Sequence, residues 1–266
     1  MFLADYHTHS GFSFDTEASV SVSAMLRAAE ERGLRELCVT DHCDFAQRGF
    51  DGEAYWRMLA EEHAKNKTAV KLLRGIEIGE GHRVKKAAGA VLAAHPYDFV
   101  IGSIHMLRNE LDFYYIKYDS EAQCYKYLDK YWAETMELCE WGGFDVLGHI
   151  CYPLRYMKQQ GFALPDVYER YETPLIKLFD MLCQNGKGVE LNLAGLYRKD
   201  GSPTLPTPDV LALYRRRGGE IVTLGSDAHR AENVGAALEE GLELLRAAGF
   251  SYVTAFEGRK PRFERI

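Results

Sequence analysis

Short apolar runs alternate with longer amphipathic stretches along the whole chain. Short apolar runs bounded by turn formers read as strands, and apolar positions repeating every three or four residues read as helices. On that basis strands are predicted at 2–6, 37–40, 71–78, 99–104, 146–148, 189–193 and 221–224, with a last strand-like piece at 252–256. Helices are predicted between them at 22–32, 53–65, 83–94, 121–140, 168–185, 208–217 and 234–248. Ser21 or Ser23 can cap the first helix and Gly33 stops it. The 121–140 stretch carries Tyr125, Leu128, Trp132, Met136 and Cys139 on one stripe. Gly186, Gly218 and Gly249 close the later helices, while Pro174 either kinks the 168–185 helix or marks its start.

Strands bridged by helices are expected to run parallel. The pattern therefore predicts a strand–helix barrel. No linker rich in Pro, Gly or Ser interrupts it, so residues 1–266 are expected to form one domain. The longest loop, 195–208, reads as an active-site flap.

Composition narrows the function classes. The chain has 266 residues, 47% hydrophobic and 27% charged, which suits a globular protein with a substantial core. Its formal net charge is −7, and no basic run is long enough to follow a phosphate backbone, so nucleic acid is not an expected partner. No apolar stretch approaches about 18 residues, so no membrane span is expected. No secretory leader is visible, and none of the six cysteines forms a CxxC pair. Reduced thiols in the cytoplasm are the expectation. Cys43 and Cys151 lie near histidines, but buried free cysteine is the commoner role.

Candidate chemistry gathers at or just past strand ends: His7 and His9, Asp15, His42, Glu77, His105, His149, Asp227 and His229. In a strand–helix barrel those ends share one face, where catalytic groups collect. His7 and His9 stand two apart on a strand and point the same way; Asp227 and His229 repeat the spacing. Closing the barrel makes the two pairs neighbours. Asp5 shares the face of His7 and His9 and is a candidate outer acceptor. A carboxylate in an apolar strand is costly without a cation, which singles out Glu77. Its two oxygens suit it to bridge two ions. Glu80 is the competing choice but reads as a solvated loop acid. His42 is preferred as a ligand, with its neighbour Asp41 behind it. His63 and His82 read as surface residues, and His95 as a helix-end cation. Imidazole with carboxylate suits zinc, manganese or iron rather than calcium or magnesium.

Taken together the motifs resemble the polymerase and histidinol phosphatase (PHP) superfamily, and within it the monofunctional histidinol phosphatases. The resemblance rests on Asp5-Tyr6-His7-Thr8-His9-Ser10, Phe12-Ser13-Phe14-Asp15, Thr40-Asp41-His42, Gly75-Ile76-Glu77, Gly102-Ser103-Ile104-His105, Gly148-His149, Glu190-Leu191-Asn192, Gly225-Ser226-Asp227-Ala228-His229 and Gly258-Arg259-Lys260-Pro261. It implies an α/β fold, a distorted (β/α)7 TIM-like barrel, with a trinuclear metal centre at the C-terminal ends of the strands. By resemblance His7, His9, Glu77 and Asp227 hold a first ion. Glu77, His105 and His149 hold a second, and Asp15, His42 and His229 a third. Many relatives carry histidine where this chain has Asp15, so two to three ions are expected.

The implied reaction is hydrolysis of L-histidinol phosphate to L-histidinol and phosphate, in histidine biosynthesis, by a hydroxide bridging two ions. Glu77 and His229 are the implied catalytic residues at the ions. Arg155 and Arg198 follow strands on the active face and are candidate phosphate anchors; Arg230 is a weaker one. Another small phosphoester (a nucleotide or sugar phosphate) is the alternative substrate. A metal-dependent amidohydrolase and a non-catalytic metal-binding module are further rivals.

Overall fold

The computed structural model describes residues 2–45, 49–164 and 167–266. The Met1 end of the first predicted run lies outside them. In order come β1 (Ala4–Asp5), α1 (Val22–Glu31), β2 (Glu36–Val39), β3 (His42–Asp44), α2 (Gly52–Lys65), β4 (Lys71–Gly79), α3 (Lys85–Ala94), β5 (Phe99–Ser103) and α4 (Glu121–Trp141). They are followed by β6 (Val146–Leu147), α5 (Tyr152–Gln159), α6 (Val167–Gln184), β7 (Gly188–Asn192), α7 (Ala194–Tyr197), α8 (Pro208–Arg216), β8 (Val222–Gly225), α9 (Leu238–Ala247), β9 (Tyr252–Glu257) and β10 (Lys260–Arg265).

The sheet order is β1-β2-β4-β5-β6-β7-β8, every pairing parallel, with β3 alongside the end of β4. Closure comes from β8 meeting the chain after β1. Tyr6 N donates to Leu224 O at 2.9 Å, Asp227 N donates to His7 O at 2.8 Å, and Thr8 bridges Ala228. The fold is thus the expected distorted (β/α)7 TIM-like barrel.

Side-chain alternation divides the core. On β4, Ile76 and Ile78 pack outward among the helices, while Leu73 points into the barrel with Tyr6, Cys38, Phe99, Ile101 and Val146. Glu77 shares the inward face, four residues beyond Leu73. The antiparallel pair β9–β10 covers the opposite end of the barrel. Its Ala255 and Phe256 join the interior cluster, and Phe256 N donates to the Tyr6 hydroxyl at 2.7 Å. That hydroxyl in turn donates to Glu36 at 2.6 Å.

Several predicted elements change shape. Of the 2–6 strand only β1 remains; beyond Asp5 the chain bonds both neighbours, Tyr6 N donating to Leu224 O on β8 and Thr8 O accepting from Thr40 N past β2. The 83–94 helix opens with a 3-10 turn, Gly81–Val84, before α3. The 234–248 helix becomes a 3-10 turn, Ala231–Asn233, and a shorter α9. α6 runs through Pro174 instead of starting there. β3, α5 and β10 were not anticipated. The 195–208 loop holds part of α7 and an isolated bridge between Asn192 and Leu205. Among the described residues, no helix is long and apolar enough to cross a membrane.

Candidate metal centre

Glu77 is fully buried, and its two oxygens face different sets of imidazoles. Oε1 lies 3.1 Å from His105 Nε2 and 2.9 Å from His149 Nε2. Oε2 lies 3.2 Å from His7 Nε2, 3.0 Å from His42 Nδ1 and 3.7 Å from His9 Nε2. Asp227 Oδ1 approaches His9 Nε2 at 3.5 Å and His7 Nε2 at 3.8 Å. At the more open edge, Asp15 Oδ2 lies 3.0 Å from His229 Nε2 and 3.4 Å from His42 Nε2. All nine side chains named from the sequence therefore converge on one end of the barrel.

Their donor atoms form groups in which every atom lies within 4.8 Å of the others: His7, His9 and Asp227; His7, Glu77 and His149; His42, Glu77 and His105; and His9, His42 and His229. The last group differs from the implied third set by holding His9 where the resemblance places Asp15. The donors fit divalent transition ions. Among the described residues His9 Nε2 and His42 Nδ1 are buried without a hydrogen-bond partner, and His105 Nε2 faces His149 Nε2 at 3.3 Å. Two ring nitrogens aimed at each other beside a carboxylate are what a shared cation would reconcile. Burial opposes charge on Glu77, yet His7, His105 and His42 hold its carboxyl well below the usual range. Burial also opposes charge on His7, but Glu190, Glu77 and Asp227 raise it well above its ordinary value. His9, enclosed with His229 and His42, is driven well below its ordinary value by burial and those neighbours.

Behind the donors stand residues that hold them. Asp41 accepts from Ser10 N, from the Ser10 hydroxyl and from the Ser13 hydroxyl, each at 2.7 Å. Ser13 Oγ lies 3.2 Å from His9 Nδ1. Asp5 does not reach the rings of His7 and His9. It accepts from Ser226 N at 2.9 Å and Gly235 N at 2.7 Å, pinning the turn that carries Asp227. Glu80 and His82, read as exposed, are both buried. Glu80 accepts from His105 N and Met106 N, because the left-handed backbone at Glu80 turns its carboxylate back under the strand end. His63 is exposed, and His95 is half-buried, stacked on Trp56. Cys43 and Cys151 are buried and belong to none of the donor groups among the described residues.

Two carboxylates had no role assigned from the sequence, although Glu190 stands in the Glu190-Leu191-Asn192 motif. Asp44 Oδ2 lies 2.9 Å from His105 Nδ1, and Glu190 Oε1 lies 2.7 Å from His7 Nδ1. Both carried a usable mark. Asp44 stands two residues past His42 on the same strand, and Glu190 is a carboxylate in an apolar strand, the same mark that singled out Glu77.

The donors open into a cavity of about 430 Å³ whose lining includes Asp15, Arg155, Tyr156, Arg198 and His229. Arg155, on α5, is buried. Its guanidinium donates to Asn192 Oδ1 at 3.0 Å and Asp227 Oδ2 at 3.3 Å. Arg198 Nη2 donates to Asp227 O at 3.2 Å. Arg230 is exposed, pairs with Glu232 and is absent from the cavity lining.

The PHP domain family model matches residues 5–194. The chain belongs to the PHP domain family. Asp227 and His229 lie beyond the matched segment of this PHP domain. A Thermotoga maritima protein named "Probable histidinol-phosphatase" is 28% identical, with 97% of each chain covered. The histidinol-phosphatase of Lactococcus lactis is 27% identical over 96% of this chain and 95% of its own. The crystal structure of the Lactococcus lactis histidinol phosphate phosphatase, complexed with zinc, L-histidinol and phosphate, matches with a TM-score of 0.79 over 98% of each chain at 27% identity.

Proposed function

We propose that this PHP domain, one unit over residues 1–266, hydrolyses L-histidinol phosphate to L-histidinol and phosphate. The observation that carries the reading is Glu77, whose two oxygens face two separate imidazole sets at the foot of a cavity lined by Arg155 and Arg198. The likeness to a phosphatase structure holding zinc, L-histidinol and phosphate supports this choice of substrate. Free cysteines suit the reducing cytoplasm as its compartment.

His7, His9, Glu77 and Asp227 would hold one divalent zinc, manganese or iron ion, and Glu77, His105 and His149 a second. Asp15, His42 and His229 would hold a third. Such ions supply Lewis acidity toward phosphoryl oxygens and make water acidic enough to act as a nucleophile near neutral pH. The chain's residues then do the rest. Asn192 and Asp227 fix the Arg155 fork at the cavity wall, where the guanidinium would anchor a phosphate oxygen. Arg198, exposed at the rim, completes the clamp and orients the ester for in-line attack. The leaving oxygen, where negative charge develops, needs a proton or a nearby cation, and the edge held by Asp15, His42 and His229 is where either would be supplied.

The test is phosphate release from L-histidinol phosphate beside a panel of nucleotide and sugar phosphates, before and after chelation. The expected outcome is preference for L-histidinol phosphate and loss of turnover on metal stripping, restored by zinc or manganese. Equal turnover across the panel would point to another small phosphoester.

A further inference from the structure

Glu190 lies inside the barrel on β7, buried and flanked by glycines on both neighbouring strands. A Cβ on Gly225 would sit 2.2 Å from Glu190 Oε1 and 2.5 Å from His7 Cβ. A Cβ on Gly148 would sit 2.6 Å from both Ile101 and Ser103 and 3.6 Å from Glu190 Oε2. Oε1 of the carboxylate thus occupies space that glycine at 225 leaves open, while Gly148 makes room for Ile101 and Ser103 beside it. Each oxygen has its own task. Oε1 takes His7 Nδ1 at 2.7 Å and the Asn192 side-chain amide at 3.2 Å. Oε2 accepts from His149 N at 2.7 Å.

Those two partners serve different ions in the reading above, on which this inference rests. With Glu190 Oε1 at 2.7 Å taking the Nδ1 side of the His7 ring, Nε2 is the nitrogen turned toward Glu77 and Asp227, where an ion would take its lone pair. His149 adopts φ +23°, a conformation unusual outside glycine, which aims Nε2 at Glu77 Oε1. The Glu190 hydrogen bond satisfies the buried amide of that turn.

We infer that Glu190 is a positioning residue that yokes two metal sites, one carboxylate oxygen setting the His7 tautomer for the first ion and the other fixing the His149 turn for the second. The division predicts an asymmetry. A glutamine at 190 has one acceptor and one donor. Its oxygen belongs on the His7 side, where two donors already converge, which turns its NH2 against the His149 N–H. Glu190→Gln therefore keeps His7 and releases His149, whereas Glu190→Ala releases both.

The experiment counts zinc per chain by mass spectrometry of protein loaded with zinc and dialysed against a weak chelator, with circular dichroism confirming the fold. Wild type should keep its full set, Glu190→Gln one ion fewer and Glu190→Ala two fewer. Chelator competition should show the weakened sites losing about 10–100-fold in affinity. Wild-type stoichiometry and affinity in both variants would overturn the inference. Equal losses in both would overturn the division between the two oxygens. If the alanine variant fails to fold, the isosteric glutamine variant decides alone. Ion counts need no substrate, so failure to hydrolyse L-histidinol phosphate leaves this test standing.

Discussion

At the scale of single residues, Glu77 concentrates the chemistry because five imidazoles meet one carboxylate. Glu77→Gln removes its charge and turns one oxygen into a donor pointed at ring nitrogens. Turnover should fall by about 100-fold or more, with a parallel fall in bound metal, both read on the same preparation. Arg155→Lys separates anchoring from metal binding. A lysine cannot reproduce the fork that spans Asn192 and Asp227. We expect kcat/KM to fall about 10–100-fold, roughly 1.4–2.8 kcal/mol of transition-state stabilisation, while metal content stays at the wild-type level. Unchanged kinetics would remove Arg155 from the phosphate site. Most donors were legible in the sequence because they sit at or just past strand ends; Asp15, in a turn ten residues beyond β1, was legible only within the motif that follows His9. Glu80 and His82 were misread because a left-handed residue after β4 folds the chain inward, and no apolar pattern records a single backbone angle.

At the scale of elements, the junction of β4, α3 and α4 is clasped by charge. Arg83 pairs with Glu134 on α4 and donates to Met106 O at 2.7 Å, and Glu134 accepts from Arg108 N at 2.8 Å. The clasp fixes the start of the segment that carries Asp112, Tyr114 and Tyr115 into the cavity wall. Burial works against the Glu134 charge, but His82, Arg108 N and Arg83 together hold its carboxyl at about 2, below its ordinary 4.5. A depressed carboxyl stabilises the fold fully above its unfolded value and loses that contribution as pH falls toward the folded one. Glu134→Gln should therefore cost about 2 kcal/mol near neutrality. The gap between wild-type and variant melting curves should hold down to about pH 4.5 and narrow below it. A gap that widens on acidification would refute the clasp. Amphipathic helices and apolar strands were readable along most of the chain. β3 and α5 were not, since each is a short piece whose residues serve the site: His42 and Asp44 in one, and Arg155 in the other. β10, Lys-Pro-Arg-Phe-Glu-Arg, is held by pairing to β9 and by the Arg262–Glu36 contact at 2.7 Å, not by an apolar run.

At the scale of the whole molecule, one end of the barrel carries the chemistry and the other is plugged by apolar packing around Tyr6, Phe99 and Phe256. This separation is open to measurement. Phe256→Ala should lower stability by about 3–5 kcal/mol in chemical denaturation, yet leave KM and metal content near wild type in the fraction that stays folded. A large change in KM would mean that the plug reaches the site after all. Parallel strand order and closure between the first and last barrel strands followed from strand–helix alternation. The pairing of the chain after Asp5 with both Leu224 and Thr40 did not, because it is a tertiary pairing with no local signature.

That pairing has a consequence for synthesis. His7 and His9 leave the ribosome early, while Asp227 and Ala228 arrive some two hundred residues later and share hydrogen bonds with them only once β8 is in place. A nascent polypeptide halted before residue 227 lacks the acidic partner that His7 and His9 meet in the finished protein. Ion capture by that pair is therefore a late event of biogenesis, and zinc retention by stalled chains of increasing length would mark the moment the ring shuts.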